Sequence, residues 1–186
     1  MEIALLGWGS LIWNPGALHI KGKWTTGGPV LPIEFSRISD NGRLTLVIDE
    51  KDGVQVPTRY VLNSLDDLEL VVTDLKEREN TPNRDRIGYI DQLNNTHSAR
   101  AWKLHPNTCK IIRAWAELQK MDAVVWTAIG PRFFEKTGEA FSADAALRYL
   151  ATLDAETRAV ALKYIREAPA EVATPVRNRV AIAYPA

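Results

Sequence analysis

The stretch that most constrains this chain is Ile3-Ala4-Leu5-Leu6-Gly7-Trp8-Gly9-Ser10-Leu11-Ile12-Trp13-Asn14-Pro15-Gly16. A short unbroken apolar run of this kind reads as a strand buried on both faces. It runs straight into two glycines, a serine and a second apolar pair. Glycine accepts backbone angles that other residues resist, and it lets a ligand approach the main chain closely. Pro15 and Gly16 then end any regular element. A core strand therefore delivers a bare, donor-rich length of backbone to one place, and successive N–H groups suit an anionic ligand. Gly7-Trp8-Gly9 also begins like a dinucleotide-binding fingerprint. Ile12 stands where the third glycine belongs, however, and no helix can open through Trp13-Asn14-Pro15-Gly16. The plain alternative is a tight turn after a first strand.

A second signal lies in one helix. Ser64 suits an N-cap, with Asp67 three residues on as an approximate capping box. Leu65, Leu68, Val71, Val72 and Leu75 form an apolar stripe, and the same spacing carried on from Leu75 reaches Glu79. Glu77 falls well round from the stripe, toward solvent. A carboxylate on an apolar face near a helix C-terminus is disfavoured in its charged form by burial and by the helix dipole. Glu79 is then either paired with Arg78, Arg84 or Arg86, or poised to exchange protons.

The remaining chain alternates strands and helices. Residues 17–30 are broken by Gly22, Gly27, Gly28 and Pro29 and read as irregular, either a flap over the first loop or a surface connection. In 31–39, Ile33, Phe35 and Arg37 fall on one side of a strand, with Glu34 and Ser36 on the other. Asp40-Asn41-Gly42 is a hairpin turn leading into a strand at 43–50. A third strand over Val54–Leu62 carries Pro57, which suggests an edge or a bulge. Further strands are expected at 86–93, 97–104 and Ala123–Ile129, and a helix from Pro106 through Lys120. Ser142 and Asp154 are fair N-caps for helices at 143–152 and 155–167, which Pro169 and Pro175 close; Val180–Tyr184 reads as a last strand. No internal repeat or low-complexity segment is present.

Composition narrows the function classes. At 186 residues the chain reads as a single domain, 1–186, with a C-terminal helical pair near 142–168. Twenty-three Lys and Arg balance 23 Asp and Glu, which argues against a whole-protein attraction for nucleic acid or an anionic membrane. Cys109 is the single cysteine, so no internal disulfide forms. The N-terminus lacks a basic leader and no run approaches membrane-spanning length, so a cytoplasmic location is expected. His97, His105 and Cys109 lack the tight pairing of a zinc site, and no metal is expected. Cys109 reads as a small buried residue or as a thiol activated at a helix start. Gly9-Ser10-Leu11 is not the G-x-S-x-G elbow of a serine hydrolase. Trp102, Trp115 and Trp126 sit in periodic apolar segments, whereas Trp8, Trp13 and Trp24 surround the first loop and suit the walls of a pocket.

Gly7-Trp8-Gly9-Ser10-Leu11-Ile12-Trp13-Asn14-Pro15-Gly16 resembles the Y-G-S-L-(I/V)-W-x-P-G loop of the γ-glutamylcyclotransferase superfamily, most closely its ChaC-type, glutathione-specific branch. Leu75-Lys76-Glu77-Arg78-Glu79 is similar to the L-x-x-R-E segment that ends in that family's catalytic glutamate, and Arg43-Leu44-Thr45-Leu46-Val47 to its V-V-T-L-V strand. Gly88-Tyr89 resembles a G-Y that follows, across a longer spacer containing Pro82. Trp8 stands where the family usually has tyrosine; an indole keeps the ring but cannot accept or pass a proton as a phenol does.

The resemblance implies an α+β fold, a mixed, partly closed β-barrel with peripheral helices. It implies an enzyme that converts a γ-glutamyl amide to 5-oxoproline and a free amine. The amide could be a γ-glutamyl amino acid, a γ-glutamylamine or glutathione. Glu79 would be catalytic, and Gly7, Trp8, Gly9, Ser10, Leu11 and Tyr89 would bind the substrate, with no cofactor. Two alternatives stay open: a non-catalytic module that binds γ-glutamyl ligands, and an acyl-transfer enzyme that passes γ-glutamyl groups to another amine.

Overall fold

The computed structural model describes residues 1–185. The chain is α+β. Its strands are β1 (Ile3–Gly7), β2 (Ile20–Ile38), β3 (Leu44–Ile48), β4 (Val54–Asn63), β5 (Ile87–Asp91), β6 (Thr96–His97) and β7 (Ala123–Thr127). They form one mixed sheet in the order β3-β2-β4-β1-β7-β5-β6, and the sheet is not closed. The helices are α1 (Leu68–Arg78), α2 (Ala99–Leu104), α3 (Pro106–Gln119), α4 (Phe133–Thr137), α5 (Ala143–Thr152), α6 (Ala155–Glu167) and α7 (Pro175–Ala183). The chain divides into two compact units. The first is Met1–Leu31 with Pro57–Ile129; the second is Pro32–Val56 with the chain from Gly130 on.

The first unit is built around β1, which is buried along its whole length as an unbroken apolar strand should be. It pairs antiparallel with β4, Leu5 opposite Val61 and Gly7 opposite Arg59, and parallel with β7, Leu5 opposite Val125. β5 lies antiparallel on β7, with Tyr89 opposite Val125. Alternation then sorts the two faces. Ile3, Leu5, Val61, Ile87, Ala123 and Val125 meet Val71, Val72 and Leu75 of α1, joined by Leu11 from the loop, with Trp24 and Tyr89 packed at the margin. On the other face Leu6 pairs with Tyr60, whose ring meets Trp115 of α3 edge-on at 5.2 Å. Trp126 is fully buried there, and the space it fills belongs to Gly88: a Cβ on Gly88 would lie 2.5 Å from the Trp126 ring.

In the second unit, β2 and β3 form the hairpin that Asn41-Gly42 predicts, with Gly42 at φ +79°. Their register shifts between Glu34 and Arg37, a bulge that breaks the strict alternation read from the sequence. Helices α5 and α6 match the expected spans and are capped by Ser142 and Asp154 as read. They contribute Ala145, Ala146, Leu150, Ala161, Leu162 and Ile165 to the core.

Several expectations need correction. Residues 20–30 belong to a 19-residue strand, not to an irregular connection. Asp67, not Ser64, caps α1: its carboxylate accepts from Leu70 N at 3.0 Å, while Ser64 Oγ donates to His19 O. The strand expected over 97–104 is the helix α2, because Ser98 caps it by accepting from Ala101 N. The strand expected at Val180–Tyr184 is the last half of α7, with Thr174 as its cap and Pro175 in its first turn. Pro57 sits in a strand that is interior by order, yet the β4 ladder with β1 covers Arg59–Leu62 and leaves Pro57 clear.

Candidate functional site

The loop after β1 tightens on itself. Ile12 N donates to Gly9 O at 3.0 Å and Asn14 N to Ser10 O at 2.8 Å. Those two bonds engage the N–H groups of Ile12 and Asn14, not those of Gly9, Ser10 and Leu11. Trp8 and Leu11 are each 6 % exposed, so both face inward, whereas Gly9 and Ser10 are half-buried. Gly7 must be glycine: a Cβ there would lie 2.7 Å from Trp24 Cζ3 and 3.3 Å from Ile12 Cγ1. The Trp24 ring thus lies against the bare backbone at the end of β1.

Helix α1 brings its C-terminus to the same loop. It ends in a left-handed Asn80 (φ +46°), with Thr81 N donating to Lys76 O and Asn80 N to Glu77 O. This is a Schellman closure, which satisfies the carbonyls of Lys76 and Glu77 at the end of the helix. Glu79 is the C-cap, with backbone angles still helical. Its side chain is 24 % exposed, consistent with a position that continues the Leu75 face, and Glu77 is exposed as expected.

Arg78 joins the two segments. Its Nε donates to Asn14 O at 3.2 Å and to Pro15 O at 3.1 Å, and its Nη2 to Asn14 O at 2.5 Å. Its Nη1 lies 3.7 Å from Glu79 Oε1. A guanidinium presents donors in a rigid fork, so one cation spans the loop carbonyls and the carboxylate at once. Of the arginines considered as partners for Glu79, Arg78 takes that place at salt-bridge range. Arg84 instead holds Glu69 at 2.6 Å and lies over the Tyr89 ring at 5.6 Å. Tyr89 is half-buried on the α1 face of the sheet, in the same apolar cluster as Leu11 and Leu75.

The site residues read from the sequence therefore all fall in the first unit. The loop and Glu79 are linked through Arg78, and Leu11 and Tyr89 through the core cluster. A polar cavity of about 350 Å³ opens at the end of α1, lined by Lys76, Glu77, Asn80, Thr81 and Pro82; Glu79 is not among its lining residues. The bridging role of Arg78 was not foreseen, although the arginine of Leu75-Lys76-Glu77-Arg78-Glu79 was the available signal. His19 was also passed over; its Nδ1 and the Asp74 carboxylate lie 2.8 Å apart beside Asn63.

Other candidate groups are dispersed. His105, between α2 and α3, and Cys109 in α3 are buried, whereas His97 is exposed on β6 against the Trp102 ring. Among the described residues no three His, Cys, Asp or Glu side chains gather as a metal site, and no helix is long and apolar enough to cross a membrane. Compared with known proteins, the chain matches no family model, no curated protein and no solved structure.

Proposed function

We propose that this chain is a γ-glutamylcyclotransferase-type enzyme that releases 5-oxoproline and a free amine from a γ-glutamyl amide, glutathione among the candidates. The reading rests on the motif resemblance and on one observation: the Arg78 guanidinium contacts both the Asn14–Pro15 carbonyls and the Glu79 carboxylate. A proton-exchanging acid and a loop backbone that can meet the α-carboxylate are the two parts this reaction needs, and that guanidinium links the acid to the Asn14–Pro15 end of the loop.

In the proposed reaction the α-amine of the glutamyl group attacks its own γ-carbonyl carbon. A five-membered ring forms, and the bond to the departing amine breaks. Holding the α-carboxylate folds the glutamyl chain into ring-closing geometry, and proximity of this kind supplies several kcal/mol of the barrier reduction. The amides of Gly9, Ser10 and Leu11 and the Ser10 hydroxyl are assigned to that carboxylate. Glu79 takes the proton that the ammonium must lose and returns it to the leaving nitrogen. Tyr89 is an additional donor at the margin. The chemistry as written calls for no metal or organic cofactor. The partly closed barrel and the cytoplasmic location belong to the same proposal.

Glu79→Gln tests it, because the amide keeps the shape and removes the titrating group. Release of 5-oxoproline from γ-glutamyl amides should fall by roughly 10²- to 10⁴-fold, the usual contribution of a positioned acid–base group. Full activity in that variant would end the assignment. A second reading, a non-catalytic γ-glutamyl binder, is favoured by Trp8, which puts an inward-facing indole where a phenol is expected. Thermal stabilisation by 5-oxoproline without any turnover of γ-glutamyl amides would select it.

A further inference from the structure

The Trp24 side chain carries an unresolved demand. Its ring covers the Gly7 backbone so closely that no side chain fits between them. Its Nε1–H is buried and has no hydrogen-bond partner. A buried donor left unmade is costly, so each such group in a native fold calls for an explanation. Apolar packing does not supply one here. The ring needs burial, and it has that from the cluster of Leu5, Leu11 and Leu75, but the N–H gains nothing from such neighbours. A second orphaned polar atom, Thr127 Oγ1, ends the strand beside Gly7. β1 and β7 run parallel with Leu5 opposite Val125, so Gly7 and Thr127 are both two residues past that pair. Thr127 Oγ1 thus belongs to the residue level with Gly7, whereas Trp24 meets Gly7 through Cζ3 and Cη2 of its six-membered ring and carries its unpartnered Nε1–H on the other edge.

We propose that Trp24 is a substrate-contacting gate. Its ring turns off the Gly7 backbone as a γ-glutamyl ligand enters, and its indole N–H then donates to the ligand's α-carboxylate. This deepens the γ-glutamyl reading above and rests on it. No bond is made or broken in the step. A buried N–H without a partner gains a charged acceptor, and the carboxylate gains a donor beyond the loop amides. The turn takes place about the Trp24 side-chain bonds and asks no movement of β2, which Trp115 Nε1 ties at Gly27 O, 2.8 Å away.

The test uses the full chain and 5-oxoproline, the product, which keeps the carboxylate. In wild-type protein labelled at its six tryptophans, one indole N–H resonance should move downfield on saturation with 5-oxoproline. Trp24→Phe, which keeps an aromatic ring and removes the N–H, should lose that resonance. It should also raise KM for a γ-glutamyl amide by roughly ten- to a hundredfold, the weight of a hydrogen bond to a charged group, with kcat changed by less than about threefold. A merely structural role would lower kcat and stability together without that split. Should Trp24→Phe not fold, the wild-type titration still decides: no indole signal moving in a protein that binds 5-oxoproline overturns the gate. Binding of equal strength in wild type and Trp24→Phe overturns it too, and leaves the cyclotransferase reading intact. If neither protein binds 5-oxoproline or turns over a γ-glutamyl amide, the functional reading falls and the gate falls with it.

Discussion

Glu79 closes the C-terminal end of α1 with about a quarter of its side chain exposed and the Arg78 cation 3.7 Å away, whereas Glu34 lies at the N-terminal end of α7, 1 % exposed. Glu34 Oε1 accepts from Phe35 N at 2.7 Å and Oε2 from Val176 N at 3.5 Å, and Thr174 adds a side-chain hydrogen bond. Burial still pushes the Glu34 carboxyl above the usual glutamate range, and buried Asp49 adds a repulsive charge in the same direction. The two glutamates teach different uses of one side chain. Glu79 keeps partial access to water beside a cation anchored on the Asn14 and Pro15 carbonyls, an exposure that the proposed proton-exchanging role requires. Glu34 is held by the Phe35 and Val176 N–H groups and by Thr174, and it serves as a buried knot between β2 and the first turn of α7, where the helix N–H groups favour a carboxylate.

The largest expected effects separate those roles. Glu79→Gln should remove turnover by two to four orders of magnitude while moving the unfolding free energy by less than about 1 kcal/mol, since a surface-range ion pair contributes little. Glu34→Ala should do the reverse to the fold. It leaves the Phe35 and Val176 N–H groups without their acceptor and opens a void, a loss of at least about 2 kcal/mol by urea denaturation. A Glu34→Ala protein as stable as wild type, or a Glu79→Gln protein that barely folds, would erase the distinction.

What could be read in advance follows the same divide. α1 announced itself because a stripe of period 3.6 is local, so Glu79 could be placed from Leu68, Val72 and Leu75 alone. The core of β1, and helices α5 and α6 with their caps, were legible for the same reason. Glu34 was assigned to the polar side of its strand because alternation is read as one face in and one face out. Both faces are covered: Ile33 and Phe35 are buried, and so are Glu34 and Ser36. The cover on the Glu34 side includes Thr174 and Val176, about 140 positions downstream, and no local pattern signals it. α7 failed in the same way. Val180–Tyr184 looks like a strand until Thr174 and Pro175 are recognised as a cap and first turn. Arg78 shows the limit at the candidate site, since its span to Asn14 depends on a meeting of segments 64 residues apart.

The pH dependence sharpens the contrast at intermediate size. In the folded chain Glu34 holds its proton more tightly than the unfolded chain does, with Asp49 the charged group that adds to burial. The stability this confers is fully present below the unfolded value, about 4.3, and is lost as pH rises through the raised folded value. Glu34→Gln cannot titrate. The stability advantage of wild type over Glu34→Gln should therefore be greatest near pH 4 and shrink as pH rises toward neutrality, as read from urea midpoints across that range. An advantage that grows with pH would mean that the anion is the favoured form and that the donors outweigh burial.

The smallest effect concerns the hydroxyl that ties Glu34 to its helix. Thr174 is fully buried; its Oγ1 accepts from Arg177 N at 3.4 Å as the cap of α7, and its side chain also hydrogen-bonds Glu34. Thr174→Val keeps the shape and removes both roles, so it should cost about 1 kcal/mol at neutral pH, as a lost N-cap does. Part of that cost should vanish near pH 4. The hydroxyl lowers the Glu34 pKa, so it favours the carboxylate over the acid, and that share of its contribution fades once Glu34 is protonated. The capping share should remain at both pH values, and Thr174→Ser should restore it. A Thr174→Val loss that is equal at pH 4 and pH 7 would assign the residue to capping alone and leave Glu34 held by the Phe35 and Val176 amides.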